Sequence, residues 1–199
     1  MNAASLHKLA RQDLWSLEDY AQKRDGFRAQ VMAHKQNRSL QLGPHVRLLF
    51  EDRITMQYQV QEMLRAERIF EPEGIQDELN VYNALIPDGS NWKATMLIEY
   101  EDVLARQKAL ARLIGIEHQT WIQVAGHSPV HAIADEDLER ETAEKTSSVH
   151  FLRFELTPEM ITSFKAGAAL NAGVDHPNYR ARVAPVTAEL RRALLADLN

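Results

Sequence analysis

The chain has no cysteine in its 199 residues. That excludes disulfides, thiolate metal centres, cysteine-held iron–sulfur clusters and cysteine nucleophiles. Any metal would have to be held by His, Asp or Glu. Long apolar runs are missing too: none approaches the ~20 residues needed to cross a bilayer. The opening stretch, MNAASLHKLARQDLW, has no apolar segment of the kind a signal peptide carries. The expectation is a cytoplasmic protein with no membrane contact. Basic excess is absent, the formal net charge being −5. Lys23, Arg24, Arg28, Lys35 and Arg38 alternate with acids and amides, as on a solvated helix face. Nucleic acid is therefore disfavoured as a partner. The common catalytic signatures are missing as well: there is no GxGxxG, Walker loop, HExxH, GxSxG or EF-hand pattern, and no ExxH of the ferritin-like di-iron type.

What is present is ordinary globular composition, 45% hydrophobic and 26% charged, in a chain long enough to bury a core. One domain is expected over residues 1–199, helix-rich to about residue 115 and sheet-rich beyond. The stretch from Gly43 to Asp102 organises the rest and reads as strand, helix, helix, strand. In the first strand Val46, Leu48 and Phe50 alternate with Arg47, Leu49 and Glu51. Both faces are partly apolar, which predicts a central strand.

The two helices carry the most informative residues. On a wheel of 3.6 residues per turn, Ile54 to Phe70 places Met56, Val60, Met63, Leu64 and Phe70 on one arc, with Glu67 in its middle. Ile75 to Ile86 places Ile75, Leu79, Val81, Tyr82, Leu85 and Ile86 on one arc, with Glu78 inside it. Each helix is thus predicted to point one glutamate at the core. A buried carboxylate must pair, bind a metal or stay protonated. The two readings are a ligand or metal site between the helices and a structural ion pair with an arginine.

Other elements follow from local signals. Leu6 to Leu14 reads as a loose turn or short helix. Ser16 is a predicted helix cap, and Asp25-Gly26 predicts a break between two N-terminal helices. Asp102 to Gly115 reads as a helix. Thr120 to Ala125 and Val130 to Ala134 read as a hairpin around Gly126-His127-Ser128-Pro129. Asp135 to Lys145 is strongly charged and reads as an exposed helical turn or a loop. Ser147 to Leu156 is a predicted strand with His150, Leu152, Phe154 and Leu156 on one face. Thr157-Pro158 starts a helix, Ala172 to Val183 reads as an interrupted last strand, and Thr187 to Leu198 as a closing helix. The predicted class is α+β, a mainly antiparallel sheet with helices packed on one face.

The candidate ligand-binding residues are Glu51, Arg53, Tyr58, Glu62, Arg65, Glu67, Glu78, Tyr82 and Glu99, all in the central stretch. Candidate metal ligands are His45, Glu67, Glu78, His150 and His176, for a divalent iron, zinc or manganese ion. His150 stands out because it lies on an apolar face. The plain alternative is a core histidine with its ring nitrogens satisfied.

FEDRITMQYQVQEMLRAERI, ELNVYNALIP and ATMLIEYED, with LARQDLWSLEDY, LQLGPHVRLLFED, LIGI, VHFLRFEL and VDHPNYRA, resemble the uncharacterised bacterial domain-of-unknown-function family 3501. The resemblance spans nearly the whole chain. It implies a role near rubrerythrin-like and iron–sulfur redox proteins and brings no established catalytic residue with it. Three functions follow as expectations: a non-catalytic accessory or binding protein in bacterial redox metabolism, a metal-dependent enzyme or metal-binding protein with a Glu/His site, and a structural homodimer without ligand.

Overall fold

The computed structural model describes residues 7–138 and 140–199. In chain order the elements are α1 (Leu17–Gln36), β1 (Ser39–Leu42), β2 (Val46–Phe50), α2 (Arg53–Glu67), α3 (Pro72–Asn83), β3 (Asn91–Ile98) and α4 (Val103–Arg112). They continue with β4 (Thr120–Val124), β5 (Val130–His131), β6 (Ile133–Ala134), β7 (Val149–Glu155), α5 (Pro158–Lys165), β8 (Leu170–His176), β9 (Tyr179–Val183) and α6 (Ala188–Leu195). The loose turn predicted from Leu6 begins outside the described residues; within them a 3-10 turn covers Arg11–Asp13.

The fold is α+β, with two antiparallel sheets. Five strands run in the order β1-β2-β3-β7-β6 and four in the order β5-β4-β8-β9. The predicted central strand, β2, lies between β1 and β3. Alternation does what a pleat of period two requires. Val46, Leu48 and Phe50 of β2, Met96 and Ile98 of β3, and Leu152 and Phe154 of β7 all enter one core. Ile122, Val124, Leu170, Ala172 and Val174 enter the same core from the second sheet. Phe164 of α5 and Leu190 and Leu194 of α6 complete it. Trp92 is fully buried there, and its indole N–H donates to the Leu194 carbonyl at 2.9 Å. That bond ties α6 to β3 and satisfies a donor that would be costly to strand.

Two smaller clusters sit around the N-terminal helices. Met56, Val60 and Leu64 of α2 pack with Ile75 and Leu79 of α3. Tyr20, Phe27 and Val31 of α1 pack with Tyr58 of α2. The break predicted at Asp25-Gly26 does not occur: α1 is continuous from Leu17 to Gln36. A mid-helix glycine costs about 1 kcal/mol, and apolar contacts on both sides of it, from Tyr20, Phe27 and Val31, hold the helix together. Ser16 caps it as expected, accepting from the Asp19 N–H.

Turns set the remaining connections. Gly43 has φ +69°, and a Cβ there would stand 2.7 Å from the Tyr179 hydroxyl. That hydroxyl donates to the Leu42 carbonyl at 2.5 Å and accepts from the backbone N–H of His45 and Val46. Glycine is therefore required sterically as well as conformationally. The stretch read as one interrupted strand is a hairpin, β8 with β9. The predicted hairpin after β4 is only half of what forms. β5 pairs with β4, but after Ala132 the chain leaves that sheet, and β6 joins the edge of the other one against β7. This crossing places the charged segment after Ala134 beside His150.

Candidate functional site

His150 lies on β7 opposite Met96 of β3, so strand alternation turns its ring into the core. It is fully buried. Three segments converge on it. The first is Asp135, just beyond β6. Its N–H donates to the Phe151 carbonyl at 2.8 Å, as a continuing strand would. Its φ is then +51°, a left-handed conformation that costs a non-glycine residue roughly 1–2 kcal/mol. The turned carboxylate takes over the pairing. Oδ1 accepts from the Phe151 N–H at 2.9 Å, and Oδ2 lies 2.6 Å from His150 Nδ1. A strained residue held by several contacts points towards function.

The second segment is the 3-10 turn Glu117–Gln119 before β4. Glu117 is 1% exposed. Its Oε2 lies 3.7 Å from His150 Nε2 and has no hydrogen-bond partner among the described residues. Burial pushes its carboxyl above the ordinary range, and the neighbouring Glu141 adds to the effect. Glu141 is itself fixed by the Gly115 N–H at 3.0 Å. His118 stands 3.8 Å from Glu117 on the exposed side. The third segment is Thr146-Ser147. The Thr146 hydroxyl is 2.9 Å and the Ser147 carbonyl 3.1 Å from His150 Nε2.

With Nδ1–H donating to Asp135, the other ring nitrogen faces a hydroxyl, a carbonyl and a carboxylate oxygen. The Thr146 hydroxyl can donate to that nitrogen, whereas the Ser147 carbonyl and the Glu117 carboxylate oxygen can only accept. An atom from each of Glu117, Asp135 and His150 lies within 4.8 Å of the others, and Glu117, His118 and Glu141 form an overlapping group. Carboxylate and imidazole donors of this kind suit zinc, manganese or iron. Asp135 would orient the imidazole, as outer carboxylates do at metal-bound histidines. A cavity of about 380 Å³ opens over the cluster, lined by Glu117, His118, Asp135, Arg140 and Glu141. Arg140 donates to Asp135 Oδ1 at 3.2 Å and to both oxygens of Asp137.

Thr146, His150 and Asp135 also have the spacing of a nucleophile, base and acid. Thr146, however, is 2% exposed and does not line the cavity. A nucleophile must reach its substrate, so the hydroxyl is better read as a partner of the ring.

The structure places the other sequence candidates apart from this cluster. Glu67 and Glu78 do not point at the core: Glu67 is exposed and Glu78 only half-buried. Neither makes a hydrogen bond or ion pair among the described residues. Burial, then the nearby Glu67 charge, raises the Glu78 carboxyl above its ordinary value. The wheel misplaced them because it ran past the helix ends: Glu67 is the last residue of α2, and Leu85 and Ile86, counted on the arc with Glu78, lie beyond α3; Phe70 and Val81 are 68% and 58% exposed. Arg68, which caps α2, is in the left-handed conformation, so Phe70 is not on the helix.

Glu62 is held by Arg24 through two bonds of 2.7 Å and by the Tyr20 hydroxyl at 2.7 Å. Arg53 pairs with Asp13, Arg65 is exposed, and Tyr58 meets Phe27 edge-on. Glu51 is buried and accepts from the Thr95 hydroxyl at 2.7 Å. His176 is buried far along β8, its Nε2 donating to the Ile114 carbonyl and its Nδ1 accepting from Asn178 N–H. That is the satisfied core histidine of the plain alternative. His45 stacks on Tyr100 with centroids 3.8 Å apart and donates from Nδ1 to the Glu99 carbonyl. Glu99 pairs with Arg47. His45, Glu99 and Tyr100 line an open cleft of about 910 Å³. Tyr82 lines a separate pocket under α3.

Among the candidate metal ligands, then, His150 alone belongs to the converging cluster. Glu117, Asp135 and Glu141 were missed. Glu117-His118 is an adjacent ligand-type pair, and a histidine on an apolar face demands partners; those were the only signals. The partners lie 33 and 15 positions away, beyond any local periodicity.

No helix among the described residues is long and apolar enough to cross a membrane. No curated protein matches the chain. The crystal structure of a protein of unknown function from Burkholderia pseudomallei is similar at 52% sequence identity, with a TM-score of 0.92, over 97% of this chain and 100% of that one. The family model described as "Protein of unknown function (DUF3501)" matches residues 8–198. The chain belongs to that family.

Proposed function

We propose that the protein binds one divalent transition-metal ion between Glu117 and His150 Nε2, with Asp135 orienting the imidazole from Nδ1. The observation that supports this most is the orphaned Glu117 oxygen. A buried acceptor without a partner costs roughly 1–3 kcal/mol, and this one lies 3.7 Å from Nε2 of a buried imidazole. An ion there would answer Glu117, the Ser147 carbonyl and the ring nitrogen together. The cavity above leaves room for water or a small ligand at the remaining positions. The ion would act as a Lewis acid or lower the pKa of a bound water. The association with a rubrerythrin-like or iron–sulfur redox partner stays an expectation of the family resemblance, because no residue of the site carries it.

The test is elemental analysis of untagged protein purified without chelator, followed by titration of the metal-free protein with Zn²⁺, Mn²⁺ and Fe²⁺. The expected result is about one equivalent bound by the wild type and a loss of at least ~10-fold in affinity in Glu117→Gln. Absence of binding up to ~1 mM for all three ions, with no change in thermal stability, would overturn the reading and leave a buried histidine–aspartate pair.

A further inference from the structure

The outer face of the five-stranded sheet carries a second cavity that the metal reading does not use. It holds about 300 Å³ between α3 and strands β3 and β7. Its apolar surface comes from Val81, Leu85, Leu138 and Phe151, and its polar surface includes Tyr82 and Lys93. Val81 and Leu138 are largely exposed at its rim.

The charges around it are unequally answered. Arg153 is paired with Glu136 through two bonds of 2.8 Å and with Glu155 at 2.5 Å. Arg140 is taken up by Asp137 and Asp135 and lies over the Phe151 ring. Lys93 has no such partner: its amine makes no hydrogen bond or ion pair among the described residues. Tyr82 likewise has no hydrogen bond there. The pocket thus offers a half-buried ammonium and a phenol, both donors, beside an apolar wall. Burial lowers the Lys93 pKa from its ordinary value, against the pull of Glu136, as expected of an amine waiting for a counter-ion.

We propose that this cavity binds a small organic carboxylate with an apolar body, its carboxylate on Lys93 and its body against Leu85, Leu138 and Phe151. A cavity of this size is at the lower end for small ligands and fits a C6 to C8 acid. The site lies across β7 from His150, since Phe151 and His150 alternate on the strand. Glu136, Asp137, Leu138 and Arg140 line both cavities.

The experiment is titration calorimetry and ligand-observed NMR at pH 7 with benzoate and hexanoate, against benzamide and hexan-1-ol. An excess of chelator keeps any metal out, so that failure here leaves the metal reading untouched. The expected result is binding of the acids about tenfold or more tighter than their neutral analogues. Lys93→Met should abolish that preference and Lys93→Arg should restore most of it. Ala84→Trp, at an exposed lining position that carries no charge, should block acids and neutral analogues alike. Equal affinity for acids and neutral compounds, no binding at millimolar concentration, or binding unchanged in both Lys93→Met and Ala84→Trp would overturn the proposal.

Discussion

Two buried polar clusters of this protein differ in how their charges are answered. One joins the C-terminus to the start of α2. Arg38, almost wholly buried, donates to the carbonyls of Phe50, Ala193 and Glu51 and to the Asp197 carboxylate. It also lies 3.5 Å from Asp52, which is 2.5 Å from His34 and accepts from the Thr55 N–H at 3.1 Å. Burial alone would push Asp52 upward, but His34 and Arg38 hold it below its ordinary value. Asp197 is pushed up to about 6 by burial, against the pull of Arg38. The other cluster is Glu117, Asp135, Glu141 and His150. It is also buried but holds three carboxylates and a histidine with no buried arginine at the centre, and one residue sits in a left-handed conformation; each cluster has one carboxylate oxygen without a hydrogen bond, Glu51 Oε2 beside Arg38 in the first and Glu117 Oε2 beside His150 in the second. A network closed around a buried arginine holds elements together. An open one leaves a place for something else, and burial alone does not separate the two.

The sharpest way to break the comparison is to remove the cation from the closed cluster. Arg38→Met should cost about 3–5 kcal/mol, because Asp197 and Asp52 are left buried without compensation; urea unfolding at pH 7 measures it. A cost below ~1 kcal/mol would show that the two clusters are not different in kind. The next effect is ligand linkage at the open cluster. Zinc at 100 times the wild-type dissociation constant should stabilise the wild type by about 2.7 kcal/mol and Glu117→Gln by no more than about 1.4 kcal/mol.

The smallest effects concern pH, and the two glutamates Glu117 and Glu62 should show opposite signs. Glu117 has a raised pKa in the folded state. The folded chain therefore holds its proton more tightly, and metal-free wild type should lose stability as pH rises above the ordinary value of 4.5. Glu117→Gln should lose less over that range. Glu62 is held down to about 2, chiefly by its bonds to Arg24. Its contribution is present above 4.5 and is lost as pH falls through about 2. Glu62→Gln should cost about 1 kcal/mol at pH 7, since solvent reaches part of the pair, and the gap from wild type should close in acid. Unfolding free energies from pH 2 to 8 for the three proteins decide both.

Much of the fold was legible in the sequence. Alternation on β2 and β7 identified the core faces, and Ser16 and Thr157 marked helix starts correctly. The helix wheels were less reliable. Periodicity gives the direction of an apolar arc but not where the helix ends: Glu67 is the last residue of α2, and Leu85 and Ile86, counted with Glu78, lie beyond α3. The site was barely legible. His150 could be singled out, because a polar residue on an apolar strand face must be answered. Its partners could not, because the chain changes sheets at Ala132 and brings back a segment that reads locally as an exposed charged loop.

By itself the sequence determined the α+β class, the inward faces of the strands and the need for a partner to His150. Those follow from local rules: the strand period, cap chemistry and the cost of burying a polar group. Tertiary structure alone decided that β6 would leave its hairpin for the other sheet, that Asp135 would turn back onto β7, and that Glu117 would be buried without a partner. Each depends on contacts between residues far apart in the chain, where the burial of two sheets against each other outweighs the preferences of any single segment.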